Sequence, residues 1–239
     1  MAHDAITTEF GEGLLRLAED LGPTMSPGSR ILDFGCGAGR LVSFLQSRGF
    51  ESFGCDVVIG SESDRLRAIE RPYRLPFEDD SFDLVCSDEV FEHVQDFDIA
   101  LSEIARVLKP GALSIHRFPS RGNPIEPHTR VPLATVVRAP AWFALWARLG
   151  VRSRLQQGQP PGKVATHNKQ YLDDQTNYVS RGGLEHLAAR YFRRNRFVEL
   201  EAARAGMVGG RISGLARSRA IARLYSAAYA RVWALSDPL

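Results

Sequence analysis

Cysteine is scarce in this chain. Only Cys36, Cys55 and Cys86 occur in 239 residues. An odd number, each set inside an apolar run, does not form a disulfide framework and suits a reducing cytoplasm. Long apolar runs are missing too. The most hydrophobic long stretch, Pro132–Leu149, is broken by Arg138, Pro140 and Arg148, so no transmembrane segment is expected. The opening MAHDAITTEF has no basic region leading into an apolar one, and no signal peptide is expected. There is no large charge imbalance. Thirty Lys and Arg against 28 Asp and Glu leave a net +2, which names no partner. The six histidines are dispersed and no acidic or cysteine cluster has ligand spacing, so no metal site is expected. A G-x-S-x-G nucleophile motif is absent, as are an RNA-binding module and an aromatic-basic platform. Nucleic acid is therefore not an expected partner.

What is present is a globular composition, 44% hydrophobic and 24% charged, enough for a real core. Apolar positions Ile6, Phe10, Leu14, Leu17 and Leu21 predict a helix over 4–21. Strands are predicted at Arg30–Phe34, Ser52–Asp56, Phe82–Ser87 and Ala112–Phe118. Helices are predicted from Leu41 to Gly49, over Ser61–Ile69 and over Phe97–Leu108, the last stopped by Lys109-Pro110-Gly111. Alternation of this kind argues an α/β fold, a Rossmann-like doubly wound, mostly parallel sheet with helices on both faces. After Phe118 prolines recur and strand alternation stops. Residues 119–181 read as a largely helical cap inserted after the fifth strand, with a helix at Ala141–Leu149. Trp142 and Trp146 on that helix suit packing inside the cap, with a membrane-surface or homodimer contact as the other reading. Residues 182–239 read as a return to the 1–118 core, with a helix at Gly183–Tyr191, a strand at Arg196–Ala202 and a closing amphipathic helix at Ile212–Ala234. Ten arginines between Arg190 and Arg231 face only Glu199 and Glu201. They form either a solvated face or an attractor for anionic ligands and membrane surfaces.

Ligands of such sheets sit outside the carboxyl ends of the strands. There the chain reads Asp33-Phe34-Gly35-Cys36-Gly37-Ala38-Gly39-Arg40. Glycine lets backbone approach a ligand closely. A dinucleotide fingerprint would have a third glycine where Arg40 stands, and Asp33 would repel a pyrophosphate. An acid at that point favours a phosphate-free, cationic ligand. Asp56 follows Gly35 by 21 residues and can accept from both ribose hydroxyls, or serve as a turn residue.

LDFGCGAGRL, GCDVV, LPFEDDSFDLVCSDEVFEHV and EIARVLKPGA, in this order, resemble the class I S-adenosylmethionine-dependent methyltransferases, type 11, the ubiquinone-biosynthesis-like branch. The likeness covers roughly residues 28–118. It implies S-adenosylmethionine as cofactor and S-adenosylhomocysteine as product. It implies that Asp33, Gly35, Cys36, Gly37 and Gly39 surround the methionine and ribose, that Asp56 binds the ribose hydroxyls, that the segment before Leu75 meets the adenine, and that Val57 and Leu75 belong to the cofactor site. Arg71-Pro72-Tyr73 departs from the acidic run common there, leaving Glu70 or Tyr73 to supply the contact. Ser87, Glu89 and His93 would lie near the methionine and methyl, with His93 equally readable as a structural histidine.

Methyl transfer needs alignment and, for a hydroxyl acceptor, a base. Pro124-Ile125-Glu126-Pro127-His128 offers His128 as base and Glu126 as its partner, or two ordinary loop residues. His116 lies in a strand and reads as structural; His167, with Asn168 and Tyr171, is a weaker candidate. PIEPH and Asn177-Tyr178 add a fainter likeness to bacterial members of the branch, which implies a small-molecule, sugar or glycan acceptor. Two other classes stay open: a non-catalytic nucleoside binder on the same scaffold, and an NAD(P)-dependent reductase.

Overall fold

A computed structural model describes residues 2–22, 25–70, 73–207 and 229–239. Among these, seven strands form one sheet: β1 (Arg30–Phe34), β2 (Glu51–Asp56), β3 (Leu66–Ala68), β4 (Phe82–Asp88), β5 (Leu108–Pro119), β6 (Phe192–Phe197) and β7 (Ala230–Pro238). Their order is β3-β2-β1-β4-β5-β7-β6. The first five strands are parallel, and β7 inserts antiparallel between β5 and β6. Strand order reverses between β1 and β4, which opens a crevice at their carboxyl ends.

Period-two alternation divides the strand side chains between two cores. Ile31, Leu84, Cys86 and Val232 join a cluster with α1 (Ala2–Leu21), α2 (Arg40–Ser47) and α7 (Glu199–Ala205). Leu32, Phe34, Val85 and Trp233 face the other way, onto α3 (Phe97–Val107) and α6 (Arg181–Ala188). The sheet is thus covered on both faces, as expected. Asp33 shares the face of Ile31, and this sends its carboxyl toward α1 and α2.

Three predicted elements differ. Ser61–Ile69, expected helical, holds the short strand β3, which pairs with β2 through Gly54↔Leu66 and Asp56↔Ala68. A helix that short is costly to nucleate, whereas the free edge of β2 satisfies its amides at once. The strand expected at Arg196–Ala202 ends at Phe197. Glu199–Ala205 is helical, as its run of Glu, Leu, Ala and Arg favours, and Gly206 closes it in the left-handed conformation. Of the closing helix expected at Ile212–Ala234, residues 208–228 lie outside the described residues. Ala230–Ala234 is extended instead, because Val232-Trp233-Ala234-Leu235 fills a strand position buried on both faces.

The segment from 120 to 180 carries α4 (Pro140–Arg148) and α5 (Pro161–Gln175). Proline in the first turn starts both helices, where no amide donor is lost. Phe143, Ala147, Val164, Ala165 and Leu172 form a small core of their own, against which Trp142 and Trp146 pack. The Trp142 indole donates to the Pro132 carbonyl at 2.7 Å. Among the described residues no helix is long and apolar enough to cross a membrane.

Candidate active site

Two cavities meet at Gly35. One, about 320 Å³, is walled by Asp33, Gly35, Cys36, Ala38 and Asp88 of the strand ends and by Thr7 and Phe10 of α1. The other, about 610 Å³, is lined by Gly35, Asp56, Val57, Ile69, Tyr73, Glu89 and His93, among others. Gly35 has φ +81°, and a Cβ there would stand 2.3 Å from the Val90 side chain. The turn requires glycine on both counts. Gly37, at φ +51°, faces open space, with nothing within 4 Å of where its Cβ would be.

Asp33 is 4% exposed at the end of β1. Burial, and then the nearby Asp88 and Asp56, push its carboxyl up to about 8. A buried acid held this way gains from any cation brought beside it. Asp88 is engaged in a bidentate pair with Arg117, at 2.6 and 2.7 Å. Burial, and then Asp33, raise the Cys36 thiol to about 12, so it lines the cavity as a neutral thiol.

Asp56 ends β2 with its carboxylate fixed by the turn it serves. One oxygen accepts from the Gly37 amide at 2.8 Å and the other from the Val58 amide at 3.2 Å. Val57 lies beside it on the cavity rim, 49% exposed. Tyr73 lines the same cavity, and its hydroxyl accepts from the Gln95 amide at 2.9 Å. Arg71 and Pro72 lie outside the described residues. Leu75 is placed elsewhere: it is buried in the core and its amide donates to Glu103 at 2.8 Å. The Ser87 hydroxyl also turns away from the cavities. It bonds His116 Nδ1 at 2.8 Å, while His116 Nε2 meets Ser114 at 2.7 Å. Burial lowers His116 to about 3, which makes it the structural histidine its strand position suggested. Ile69, Val90, Val94 and Gln95 line the second cavity but were not singled out in the sequence. Ile69 follows β3 directly and donates its amide to the Asp56 carbonyl at 2.9 Å.

Residues 120–180 supply the rest. Glu126 is fully buried and its carboxylate accepts five hydrogen bonds. The donors are His128 N and Nδ1, Thr129 N and Oγ1, and the Tyr178 hydroxyl. Burial alone would raise its pKa, but the bonds from His128 and Thr129 outweigh that and hold it near 2. His128 Nδ1 stands 2.7 Å from Glu126, which makes Nδ1 the protonated nitrogen and leaves the Nε2 lone pair free. The His128 ring lies 4.9 Å from that of His93 and 5.6 Å from that of Tyr171. The fold thus brings His128 against His93, which lines the second cavity, with Glu126 buried behind it. His93 belongs to a 3₁₀ turn, Phe91–His93, after β4, and its Nδ1 meets the Gln175 carbonyl at 2.7 Å. Asn177 pins the cap to this turn through the Glu92 and Val94 carbonyls, at 2.6 and 3.1 Å. His167 stays inside the cap, 3.1 Å from Gln156. Spacing along the chain suggested no metal-ligand set, yet in space Glu92, His93 and His128 come together.

A doubly wound sheet in this order, with a glycine turn between two acids at the crevice, defines a Rossmann-like fold of the kind found in methyltransferases. Residues 32–115 match the family described as "Methyltransferase domain". A ubiquinone biosynthesis O-methyltransferase of Chelativorans sp. is 34% identical over 97 residues, covering 36% of this chain and 38% of that protein. A demethylmenaquinone methyltransferase of Corynebacterium glutamicum is 30% identical over 107 residues, 42% of this chain and 46% of that protein. The matched stretches thus span under half the length of these relatives. Phosphoethanolamine N-methyltransferase 2 of Haemonchus contortus, solved with S-adenosylhomocysteine, superposes with a TM-score of 0.53 at 18% identity. That match covers 96% of this chain and 53% of the other. Over residues 32–115 this chain is thus similar to the methyltransferase domain of these proteins.

Proposed function

We propose that the protein is an S-adenosylmethionine-dependent methyltransferase acting on a hydroxyl of a small-molecule, sugar or glycan acceptor. The observation that carries the reading is the Glu126–His128 pair, assembled by the cap beside the cofactor crevice. The crevice fits the cofactor in three respects: a buried acid for the methionine ammonium, an open glycine edge, and a fixed carboxylate next to an apolar rim. Asp33 would hold the ammonium, Asp56 the ribose hydroxyls, and Val57, Ile69 and Tyr73 the adenine. Bound S-adenosylmethionine supplies an electrophilic methyl on a sulfonium and leaves as S-adenosylhomocysteine.

The chain's own residues do the rest. Glu126 holds the His128 tautomer, so that Nε2 takes the acceptor hydroxyl proton as the new O–C bond forms. Residues 119–181 cover the site and exclude water from it. Asp33 in the glycine turn disfavours a dinucleotide pyrophosphate and therefore a reductase. Free, buried Cys36, Cys55 and Cys86 suit a reducing cytoplasm.

Thermal shift with S-adenosylmethionine, S-adenosylhomocysteine, NAD and NADP tests the cofactor. Stabilisation by the two sulfur nucleosides alone is the expected result, and stabilisation by NAD would overturn it. A panel of hydroxylated acceptors, scored by S-adenosylhomocysteine release, then tests catalysis. Cofactor binding with no turnover on any acceptor would make the protein a nucleoside binder.

A further inference from the structure

Glu92, His93 and His128 each place one donor atom within 4.8 Å of the other two, across a gap of 35 residues between the histidines. The Glu92 side chain is fully buried, and neither of its carboxylate oxygens has a hydrogen-bond partner. Buried polar atoms are nearly always satisfied, so an orphaned carboxyl in a functional crevice asks for a partner that is not protein. Both histidines are oriented by their other nitrogen. His93 Nδ1 is held by the Gln175 carbonyl at 2.7 Å and His128 Nδ1 by the Glu126 carboxylate at 2.7 Å. Each ring therefore presents a free Nε2 lone pair. Metal-bound histidines are oriented in this way, through N–H donation to a carbonyl or carboxylate.

We propose that Glu92, His93 and His128 form a binding site for a divalent first-row transition ion, zinc being the simplest probe. Two imidazoles and one carboxylate suit such an ion and leave coordination positions open. Ligation at about 2.1 Å places neighbouring donors roughly 3–3.5 Å apart. His93 Nε2 and the nearer Glu92 oxygen stand 3.9 Å apart. Binding thus draws the donors together and fastens the cap loop of His128 to the turn after β4.

The site goes beyond the function proposed above and changes one part of it. With the ion bound, His128 Nε2 is a ligand. The ion would supply Lewis acidity to an acceptor hydroxyl at an open coordination position.

Equilibrium dialysis of the whole chain against zinc chloride, with metal analysis, tests the site. One zinc per chain is expected, with a visible absorption band when cobalt replaces it. Glu92→Gln, which keeps the side-chain shape, and His128→Asn should each weaken binding at least tenfold. Glu126→Gln, which acts through His128, should weaken it about 10- to 100-fold. His186→Ala, on α6 away from the cluster, should leave it unchanged. No stoichiometric zinc in protein whose fold is verified by circular dichroism overturns the proposal. So does stoichiometric zinc that survives both Glu92→Gln and His128→Asn. Thermal shift by S-adenosylmethionine is scored separately, so loss of the metal site and loss of the cofactor reading are distinguishable.

Discussion

Asp33→Asn should make the ligand-free protein more stable and its cofactor binding worse. The Asp33 carboxyl moves from an ordinary 3.8 to about 8 on folding, at 4% exposure. A raised acid pKa means that, between pH 4 and 8, the folded state holds a proton the unfolded state has lost. Stability must then fall as pH rises through that window. At pH 7 the difference spans about three pH units, a ceiling of about 4 kcal/mol at 1.36 kcal/mol each. Asparagine removes the charge but must satisfy its own amide, so half the ceiling, about 2 kcal/mol, is the working figure. That corresponds to a rise in Tm of roughly 4–8 °C for a domain of this size. Scanning fluorimetry of both proteins from pH 5 to 9 should show a gap that opens with pH. S-adenosylmethionine affinity of the variant should fall about 10- to 150-fold, the worth of one charge-assisted hydrogen bond. A variant less stable than the parent at pH 8, or a gap that does not change with pH, would refute the reasoning.

Two further outcomes follow from the geometry. His128→Asn should lower kcat about 10²- to 10⁴-fold on a hydroxyl acceptor in metal-free protein, with S-adenosylmethionine affinity unchanged by calorimetry. An equal loss of cofactor affinity would place His128 in the cofactor site instead. Gly35→Ala forces a Cβ to 2.3 Å from Val90 at φ +81°. It should cost about 1–3 kcal/mol by chemical denaturation, and a neutral effect would mean that the turn is laxer than described.

The crevice was legible because its parts are local. Asp33 lies near the end of one strand with Gly35, Cys36 and Gly37 just after it, and Asp56 ends the next with Val57 just after, so spacing alone carries them to the strand ends. The surroundings of Leu75 and of the Ser87 side chain were not legible, for the opposite reason. Which way a side chain turns depends on neighbours far away in the chain: Glu103 holds the Leu75 amide, and His116 holds the Ser87 hydroxyl. Strand β7 was read as part of a helix because Val232-Trp233-Ala234-Leu235 is a short apolar run. Only its place between β5 and β6 decides that it is extended.

The sequence by itself determined the doubly wound sheet and the glycine turn between two acids. These rest on residue spacing and backbone freedom within a few positions of each other. The tertiary structure decided that His128, 35 residues beyond His93, lies 4.9 Å from its ring. It also decided that Glu126 is buried and ionised, and that the Glu92 carboxyl is buried without a hydrogen-bond partner. Those outcomes depend on how the cap core of Phe143 and Leu172 seats its loop against the turn after β4, a long-range packing choice that no local pattern encodes.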